Sequence, residues 1–157
     1  MSFLTASAWA QPAAGEWEVT LGGSGNSDND FDRGAFSLDG SLGYYLTDNW
    51  EVSLRQGIGF SSQGDRWSGN TRGAVDYNFQ LGNIVPYLGA NIGYLYGDDF
   101  EDRFAAGPEA GVKWYVLEKT FIFTGAEYQF FFEEARDIDN QFKDGNFVFT
   151  VGIGFNI

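Results

Sequence analysis

The 157-residue sequence predicts an all-β fold, an eight-stranded antiparallel up-and-down transmembrane β-barrel. Three observations lead to this prediction. Eight segments alternate bulky apolar residues with small or polar ones, and the connections between them alternate in length. The composition, with 22 glycines, 18% aromatic residues and three prolines, is typical of many strands interrupted by glycine.

Composition and charge exclude several classes of function. The formal net charge of −13 argues against a nucleic-acid partner, because phosphate binding needs lysine and arginine. The absence of histidine removes the commonest general base and metal ligand, and the absence of cysteine removes disulfides. No apolar run approaches the roughly 20 residues of a spanning helix, so passage through a membrane would need strands of about 9–11 residues. We expect no cofactor.

The sequence predicts one domain behind a short leader. Residues 1–14 are interpreted as a signal-peptide remnant or a flexible leader, because Ala8-Trp9-Ala10 forms an A-x-A cleavage pattern before Gln11 while the basic n-region is missing. Residues 15–157 then form the barrel domain.

The first four predicted strands each have an apolar face and a small or polar face, since successive side chains of a strand point in opposite directions. The apolar faces carry, strand by strand, Trp17, Val19 and Leu21; Phe36, Leu38, Leu42 and Tyr44; Trp50, Val52, Leu54, Ile58 and Phe60; and Val75, Tyr77, Phe79 and Leu81. The opposite faces carry Glu16, Glu18 and Thr20; Ser37, Asp39, Ser41 and Gly43; Glu51, Ser53, Arg55, Gly57 and Gly59; and Arg72, Ala74, Asp76, Asn78 and Gln80.

The last four predicted strands repeat the pattern, although the seventh is less regular. The apolar faces carry Leu88, Ala90, Ile92, Tyr94 and Tyr96; Ala110, Val112, Trp114 and Val116; Ile122, Ala126, Tyr128 and Phe130; and Phe147, Phe149, Val151, Ile153, Phe155 and Ile157. In the seventh strand, Phe121 and Phe123 share the polar face with Glu127 and Gln129.

The connections predict two different ends of the barrel. Residues 46–49, 82–84 and 117–119 form tight turns, whereas residues 26–34, 61–69, 97–103 and 133–145 form long polar loops. Short turns at one end and long loops at the other are typical of transmembrane barrels.

A soluble lipocalin-type barrel, with the apolar face inside, is the alternative. Two features favour the membrane barrel. The polar face is rich in glycine, serine and asparagine, as suits a narrow lumen, rather than in lysine and glutamate. The aromatic residues also fall at two heights, which predicts two interfacial belts. The belt residues are Trp17, Tyr44, Trp50, Trp114 and Phe155 near the turns or a terminus, and Phe60, Tyr94, Tyr96 and Phe130 near the loops.

Three segments, 43–50, 85–94 and 110–115, resemble the small outer-membrane barrel family typified by the OmpA transmembrane domain and OmpX, within the porin superfamily. The resemblance covers about residues 15–157. It implies a Gram-negative outer-membrane protein with both termini in the periplasm. The last strand also resembles the family's assembly signal at Thr150, Gly152, Phe155 and Ile157. Because the sequence ends at that strand, we expect no peptidoglycan-binding domain.

The resemblance leaves three classes of function open. Barrel enzymes that modify lipid A resemble this architecture but depend on a catalytic histidine, so we expect no catalytic residue here and rank a lipid-modifying enzyme third. A non-enzymatic structural, adhesive or complex-forming protein is first, and a small cation-leaning channel is second. Expected partners are outer-membrane lipid and lipopolysaccharide, the barrel assembly machinery during insertion, and another envelope or surface protein.

Charged residues on the polar face predict an ion-pair network in the lumen, either as a plug or as a salt-bridge gate. Its members are Asp39, Glu51, Arg55, Arg72, Asp76, Glu109, Lys113 and Glu127. We expect both arginines to bind Asp39, Glu51 or Asp76, with the partners of Arg72 on adjacent strands. We expect Lys113 to reach Glu109 or Glu127. Glu16 and Glu18, near the rim, are expected to be hydrated.

The long loops are strongly acidic, which predicts solvated surfaces. Asp28, Asp30 and Asp32 offer alternating oxygen ligands and are a weak candidate for divalent binding. Arg33 stands where the calcium-loop pattern needs glycine, so no metal site is expected.

We predict that deleting residues 155–157 abolishes membrane assembly, because it removes the aromatic and apolar ends of the assembly signal. The truncated chain should accumulate unfolded in the periplasm. Fractionation of expressing cells, with heat-dependent migration on SDS gels as the folding assay, measures this. Normal insertion of the truncated chain would contradict the assembly role.

Overall fold

The computed structural model describes residues 11–27, 34–60, 67–97, 103–132 and 146–157, which form a closed antiparallel β-barrel. This confirms the predicted eight strands in up-and-down order. The strands are β1 (Trp17–Ser27), β2 (Gly34–Tyr45), β3 (Trp50–Phe60), β4 (Trp67–Asn78), β5 (Ile84–Gly97), β6 (Arg103–Tyr115), β7 (Thr120–Phe132) and β8 (Asn146–Asn156). In these parts of the chain, no helix is long and apolar enough to cross a membrane.

The barrel closes where β1 pairs with β8, in a register that places Gly22 opposite Gly152. The close approach of the two backbones explains these glycines, since a Cβ at Gly152 would lie 2.4 Å from the Leu21 carbonyl oxygen and one at Gly22 would lie 2.9 Å from the Val151 carbonyl oxygen. The ring of Phe123 on β7 lies next, at 2.7 and 3.2 Å from the same two positions. The Trp17 and Ile157 backbones also exchange two hydrogen bonds at 3.1 and 2.8 Å. Closure satisfies the backbone groups that an edge strand would leave unpaired.

The two faces of the wall are sorted as the alternation predicted. On the outer face, Leu54 and Ile92 are each 61% exposed, whereas the inward Glu51 and Asp76 are 3% exposed. The inside-out alternative, a soluble barrel with an apolar lumen, is therefore wrong. Aromatic rings are paired near both ends of the outer face, with centroids 4.9 Å apart for Trp17 and Tyr44 and 5.1 Å apart for Tyr94 and Phe104.

Four predicted connections are shorter than expected, because residues 26–27, 34, 97 and 103 also belong to strands. Residues 67–69 belong to β4 rather than to a loop, because Trp67 pairs with Phe60 and Ser68 with Gly97. β5 likewise begins at Ile84, within the predicted turn. Strand pairing extends wherever both neighbours offer backbone partners, and polar sequence alone does not prevent it.

The end of the barrel that carries the short turns, called the turn end below, is closed by packed side chains. Val85, Tyr115 and Phe121 form an apolar cluster with exposures of 0%, 1% and 0%, and Phe123 packs against it. The inward aromatic residues that made β7 look irregular in sequence therefore fill the lumen at this end.

Residues 11–14 lie across the turn end, although residues 1–14 were predicted to be a signal remnant or flexible leader. Pro12 is fully buried, its carbonyl oxygen accepts a hydrogen bond from Gln80 at 2.7 Å, and the Ala14 amide donates to Asp48 at 2.9 Å. Residues 11–14 therefore pack against the barrel, and the interpretation of residues 1–14 as a signal remnant or leader stays a prediction. Residues 1–10 lie outside the described part of the chain.

We predict that Leu54→Arg lowers the free energy of unfolding by about 2–4 kcal/mol, because it places a charge on the apolar outer face near the middle of the bilayer. Urea titration of the folded protein in lipid vesicles, followed by tryptophan fluorescence, measures the change. Glu118→Arg, in the exposed turn between β6 and β7, is the control and should have little effect. Equal stability of both variants would rule out lipid contact at Leu54.

Candidate functional site

Glycines on the inner face make room for the charged side chains of the lumen. A Cβ at Gly57 would lie 2.5 Å from an Asp39 carboxylate oxygen, and one at Gly43 would collide with the carboxylate of Glu51. Gly89 lies between Asp76 and Glu109 in the strand register, so these two carboxyl groups flank a position without a side chain. The alternation of glycine with charge therefore sets where each ion fits.

The first ion group, nearest the turn end, centres on Lys113. Its Nζ lies 2.8 Å from both carboxylate oxygens of Glu18, from Glu51 Oε2 and from the Tyr45 hydroxyl. Tyr45 in turn donates to Glu18 at 2.7 Å, and Asn78 donates to Glu51 at 3.3 Å. The ammonium group is thus held between two carboxylates in a buried site.

Two sequence predictions about this group are wrong. Lys113 does not pair with Glu109 or Glu127, because both acids lie farther from the turn end, where the arginines bind them. Glu18 is not a hydrated rim residue, since it is 3% exposed and bound to Lys113. Glu16 is partly exposed, as expected, and its carboxylate lies 3.8 Å from Lys119.

The second ion group centres on Arg55. Its guanidinium donates to Asp76 at 2.8 Å and to both oxygens of Glu109 at 2.9 and 2.6 Å. The contact with Asp76 is among those expected from the sequence, and the two-pronged contact with Glu109 is an addition. Such a two-pronged pairing fixes the orientation of the planar guanidinium and also balances its charge.

The third ion group centres on Arg72, which binds Glu127 and lies 3.5 Å from Asp39. Asp39 is among the partners expected from the sequence, but the prediction that they lie on adjacent strands is wrong, because Asp39 is on β2 and Glu127 is on β7. Arg55 and Arg72 are directly paired in the register of β3 and β4, and Arg55 binds the nearest acids. The side chain of Arg72 instead crosses the narrow lumen.

Neutral polar side chains join the ion groups. Asn91 donates to both Glu109 and Glu127, the latter at 2.7 Å, and so links the second and third groups. Gln129 donates to Glu127 at 2.6 Å, and Ser24 donates to Asp39. Sequence analysis placed Asn78 and Gln129 on the polar face without assigning them to the network, and Asn91 and Tyr45 are further members. All of them occupy the alternate strand positions that face the lumen, and this position was the signal that could have found them.

The three ion groups together contain three cations and six carboxylates, so each of these cations is shared by two acids and three negative charges remain in excess within the groups. A cavity of about 70 Å³ lies among these groups. It has room for several water molecules, which suits an incompletely neutralised network. The arrangement can close the barrel to larger solutes while keeping a polar, negatively charged interior.

The remaining predicted site residues are placed as follows. Phe155 and Ile157 face outward at the turn end, while Thr150 and Gly152 face inward on β8. Within the described ranges, no group of three aspartate or glutamate side chains is arranged to hold a metal ion. The weak candidates Asp28, Asp30 and Asp32 lie outside the described residues.

Comparisons with known proteins agree with this architecture. A family model described as "Outer membrane protein beta-barrel domain" matches residues 1–155. The structure is similar to the N-terminal β-barrel domain of Pseudomonas aeruginosa OprF, with a TM-score of 0.70, 22% identity and coverage of 92% of this chain and 98% of that one. No curated protein matches the sequence significantly.

Two further solved structures are similar at lower identity. Neisserial surface protein A matches with a TM-score of 0.67 and 14% identity over 90% of this chain and 96% of that one. The Yersinia pestis attachment invasion locus protein Ail, solved with the heparin analogue sucrose octasulfate, matches with a TM-score of 0.52 and 15% identity over 92% and 99%. At these identities, the likeness concerns the fold.

We predict that Lys113→Met lowers the free energy of unfolding by about 3–5 kcal/mol, because it leaves the carboxylates of Glu18 and Glu51 buried without their cation. Lys119→Met is the matched control. Lys119 is 55% exposed with its nearest acid at 3.8 Å, so its loss should cost less than about 1 kcal/mol.

Urea unfolding in vesicles measures both variants of this pair. Adding Glu18→Gln and Glu51→Gln to Lys113→Met should recover part of the loss, since no buried charge then lacks a partner. A Lys113→Met variant as stable as the Lys119→Met control would contradict a buried ion group.

Proposed function

The chain belongs to the outer membrane protein β-barrel domain family and is located in the bacterial outer membrane, and on this premise we propose that it is a non-enzymatic integral protein of structural or adhesive function. Its lumen is closed by the three ion groups, and its loops carry the surface that contacts other molecules. Short turns and both termini lie in the periplasm, and the long loops lie outside the cell.

The observation that carries this proposal is that Arg55, Arg72 and Lys113 are each shared by two carboxylates. Opening a path would separate charges that are buried and hydrogen-bonded, at a cost of several kcal/mol for each broken pair. The cavity of about 70 Å³ among them is too small for a nutrient-sized solute. Because side chains fill the lumen of a small barrel, the residues that can bind other molecules lie mainly in its loops.

The loop composition supports an adhesive function toward a basic partner. The sequence carries 22 acids and nine bases, and acids are dense in residues 98–102 and 133–139. The structure of Ail contains a sulfated heparin analogue, but acidic loops would repel a sulfated sugar. We therefore propose a positively charged envelope or surface protein as the partner class, beside lipopolysaccharide and lipid around the barrel and the assembly machinery during insertion.

A small cation-leaning channel is the second candidate. The excess of three negative charges over the cations of the three ion groups favours it, because a net negative path attracts cations and excludes anions. Conduction would require exchange of partners within the ion groups, most directly at Arg72, whose contact with Asp39 is 3.5 Å long.

Planar-bilayer recording of the purified chain separates the two candidates. We predict that the wild-type protein is silent and that Arg72→Ala produces small cation-selective openings, because it removes the side chain that crosses the lumen. Lys119→Ala, at the exposed rim, is the control and should stay silent. Steady openings of the wild type would favour the channel. A silent and fully stable Arg72→Ala variant would contradict the ion-pair closure.

A further inference from the structure

One carboxylate oxygen in the lumen has no hydrogen-bond donor. Among the buried side-chain atoms that the structure describes, Oδ1 of Asp76 is the only carboxylate oxygen without a partner, although Asp76 is 3% exposed. Its other oxygen, Oδ2, accepts a hydrogen bond from Arg55 at 2.8 Å. Burying one oxygen of an ionised carboxylate without a donor is costly, so this oxygen requires an explanation.

The neighbours of Asp76 are acidic on both sides. Glu51 is directly opposite it in the register of β3 and β4. On the other side, Gly89 of β5 has no side chain, and Glu109 of β6 is the next residue across the sheet. A Cβ at Gly89 would collide with Asp76 Oδ1, so the unpartnered oxygen extends over this glycine toward Glu109. Because like charges opposite each other destabilise a sheet, an ionised Asp76 would be repelled from both sides.

Asp76 and Glu109 also meet at a single nitrogen atom. Nη2 of Arg55 donates to Asp76 at 2.8 Å and to Glu109 Oε1 at 2.6 Å. The two carboxyl groups lie within hydrogen-bond reach of each other. One positive charge cannot neutralise two carboxylates. The third ion group differs, because Arg72 contacts its two acids through separate nitrogens.

The first ion group also shares one nitrogen between two acids, but its donors are sufficient. Lys113 donates to both oxygens of Glu18, and Tyr45 donates to one of them. The other acid, Glu51, accepts from Lys113 and from Asn78. No carboxylate oxygen of this group is buried without a partner. Within the described strands, a shared nitrogen and a carboxylate oxygen without a donor are therefore combined only in the second ion group.

We propose that Asp76 and Glu109 share a proton, so that this carboxyl pair is a buried proton-binding site. The proton lies at Asp76 Oδ1 and is donated to Glu109. The pair then carries one negative charge, which Arg55 balances. Two carboxyl groups in contact cannot both ionise without strong repulsion, and a shared proton removes it. This inference concerns the charge of the lumen and holds for either candidate function.

The surroundings of the pair favour a proton over a metal ion. A metal ion needs several oxygen ligands, whereas a single carboxylate oxygen here lacks a donor. Both acids line the cavity of about 70 Å³, through which a proton can exchange with water. The charged and titratable groups that face this part of the lumen are, from β1 to β7, Glu18; Asp39 and Tyr45; Glu51 and Arg55; Arg72; Tyr87; Lys113; and Glu127.

Infrared spectroscopy of the folded full-length chain detects the proton. In a detergent without ester groups at neutral pH, the wild type should show a carbonyl band of a protonated carboxylic acid that both Asp76→Asn and Glu109→Gln remove. Either substitution leaves one acid, which Arg55 balances without a proton. Asp39→Asn is the matched control and should keep the band, because both oxygens of Asp39 already contact donors.

The pH dependence of stability, measured by urea titration in lipid vesicles, is the second readout. Unfolded carboxyl groups are ionised above about pH 5, whereas the folded pair keeps a proton, so the folded state binds one proton more and loses stability as pH rises. Asparagine at position 76 can place its NH₂ group where the proton is inferred, so this variant should fold and lack the effect. Relative to Asp76→Asn, the unfolding equilibrium constant of the wild type should rise about tenfold per pH unit until the folded pair loses its proton.

Several outcomes would overturn the inference. A carboxylic-acid signal unchanged by Asp76→Asn is one, and a band lost in only one of the two variants is another, since it assigns the proton to a single acid. Equal pH dependence of Asp76→Asn and the wild type is a third. A fourth is stabilisation of the wild type by sodium or magnesium that Asp76→Asn abolishes, because the oxygen would then bind a metal ion. Heat-dependent migration on SDS gels checks folding, and the pH comparison decides alone if Glu109→Gln does not fold.

Discussion

The structure depends on the pairing of β1 with β8. In a bilayer no water can bind an unpaired backbone group, so the described strands can span only as a closed ladder. Closing eight strands fixes a lumen so narrow that side chains must fill it. Glycine then becomes necessary beside each bulky inward group, as Gly22 and Gly152 are beside Phe123. The charges that remain have to find partners across a few ångströms, which produces the three shared-cation groups.

The fold could be predicted from the sequence because each of its determinants is local. Alternation along a strand depends on neighbouring residues alone, and it assigned Leu54 to the outer face and Glu51 to the lumen. The length of a connection is likewise read directly from the chain. Strand ends were less accurate, as at Trp67, because pairing continues wherever a neighbour offers it.

The members of the lumen network could also be predicted, since they are the charged residues at the alternate strand positions that face the lumen. Their pairing could not. It depends on the tilt of the strands, which brings β6 near β1 and β3 at the height of Lys113. It depends also on competition between neighbours, because Arg55 binds the acids nearest to it and Arg72 crosses the lumen.

The closing seam has a mechanical consequence. Where Gly22 opposes Gly152, no side chain of either strand contributes to the joint, which rests on backbone hydrogen bonds and on the ring of Phe123 behind them. The hydrogen bonds of such a ladder lie across the strands, so a sideways load is carried by one or two bonds at a time, whereas a load along the strands is shared by many. A load that pulls the two closing strands apart from one end would therefore break this joint bond by bond, with no side-chain contact between Gly22 and Gly152 to resist it.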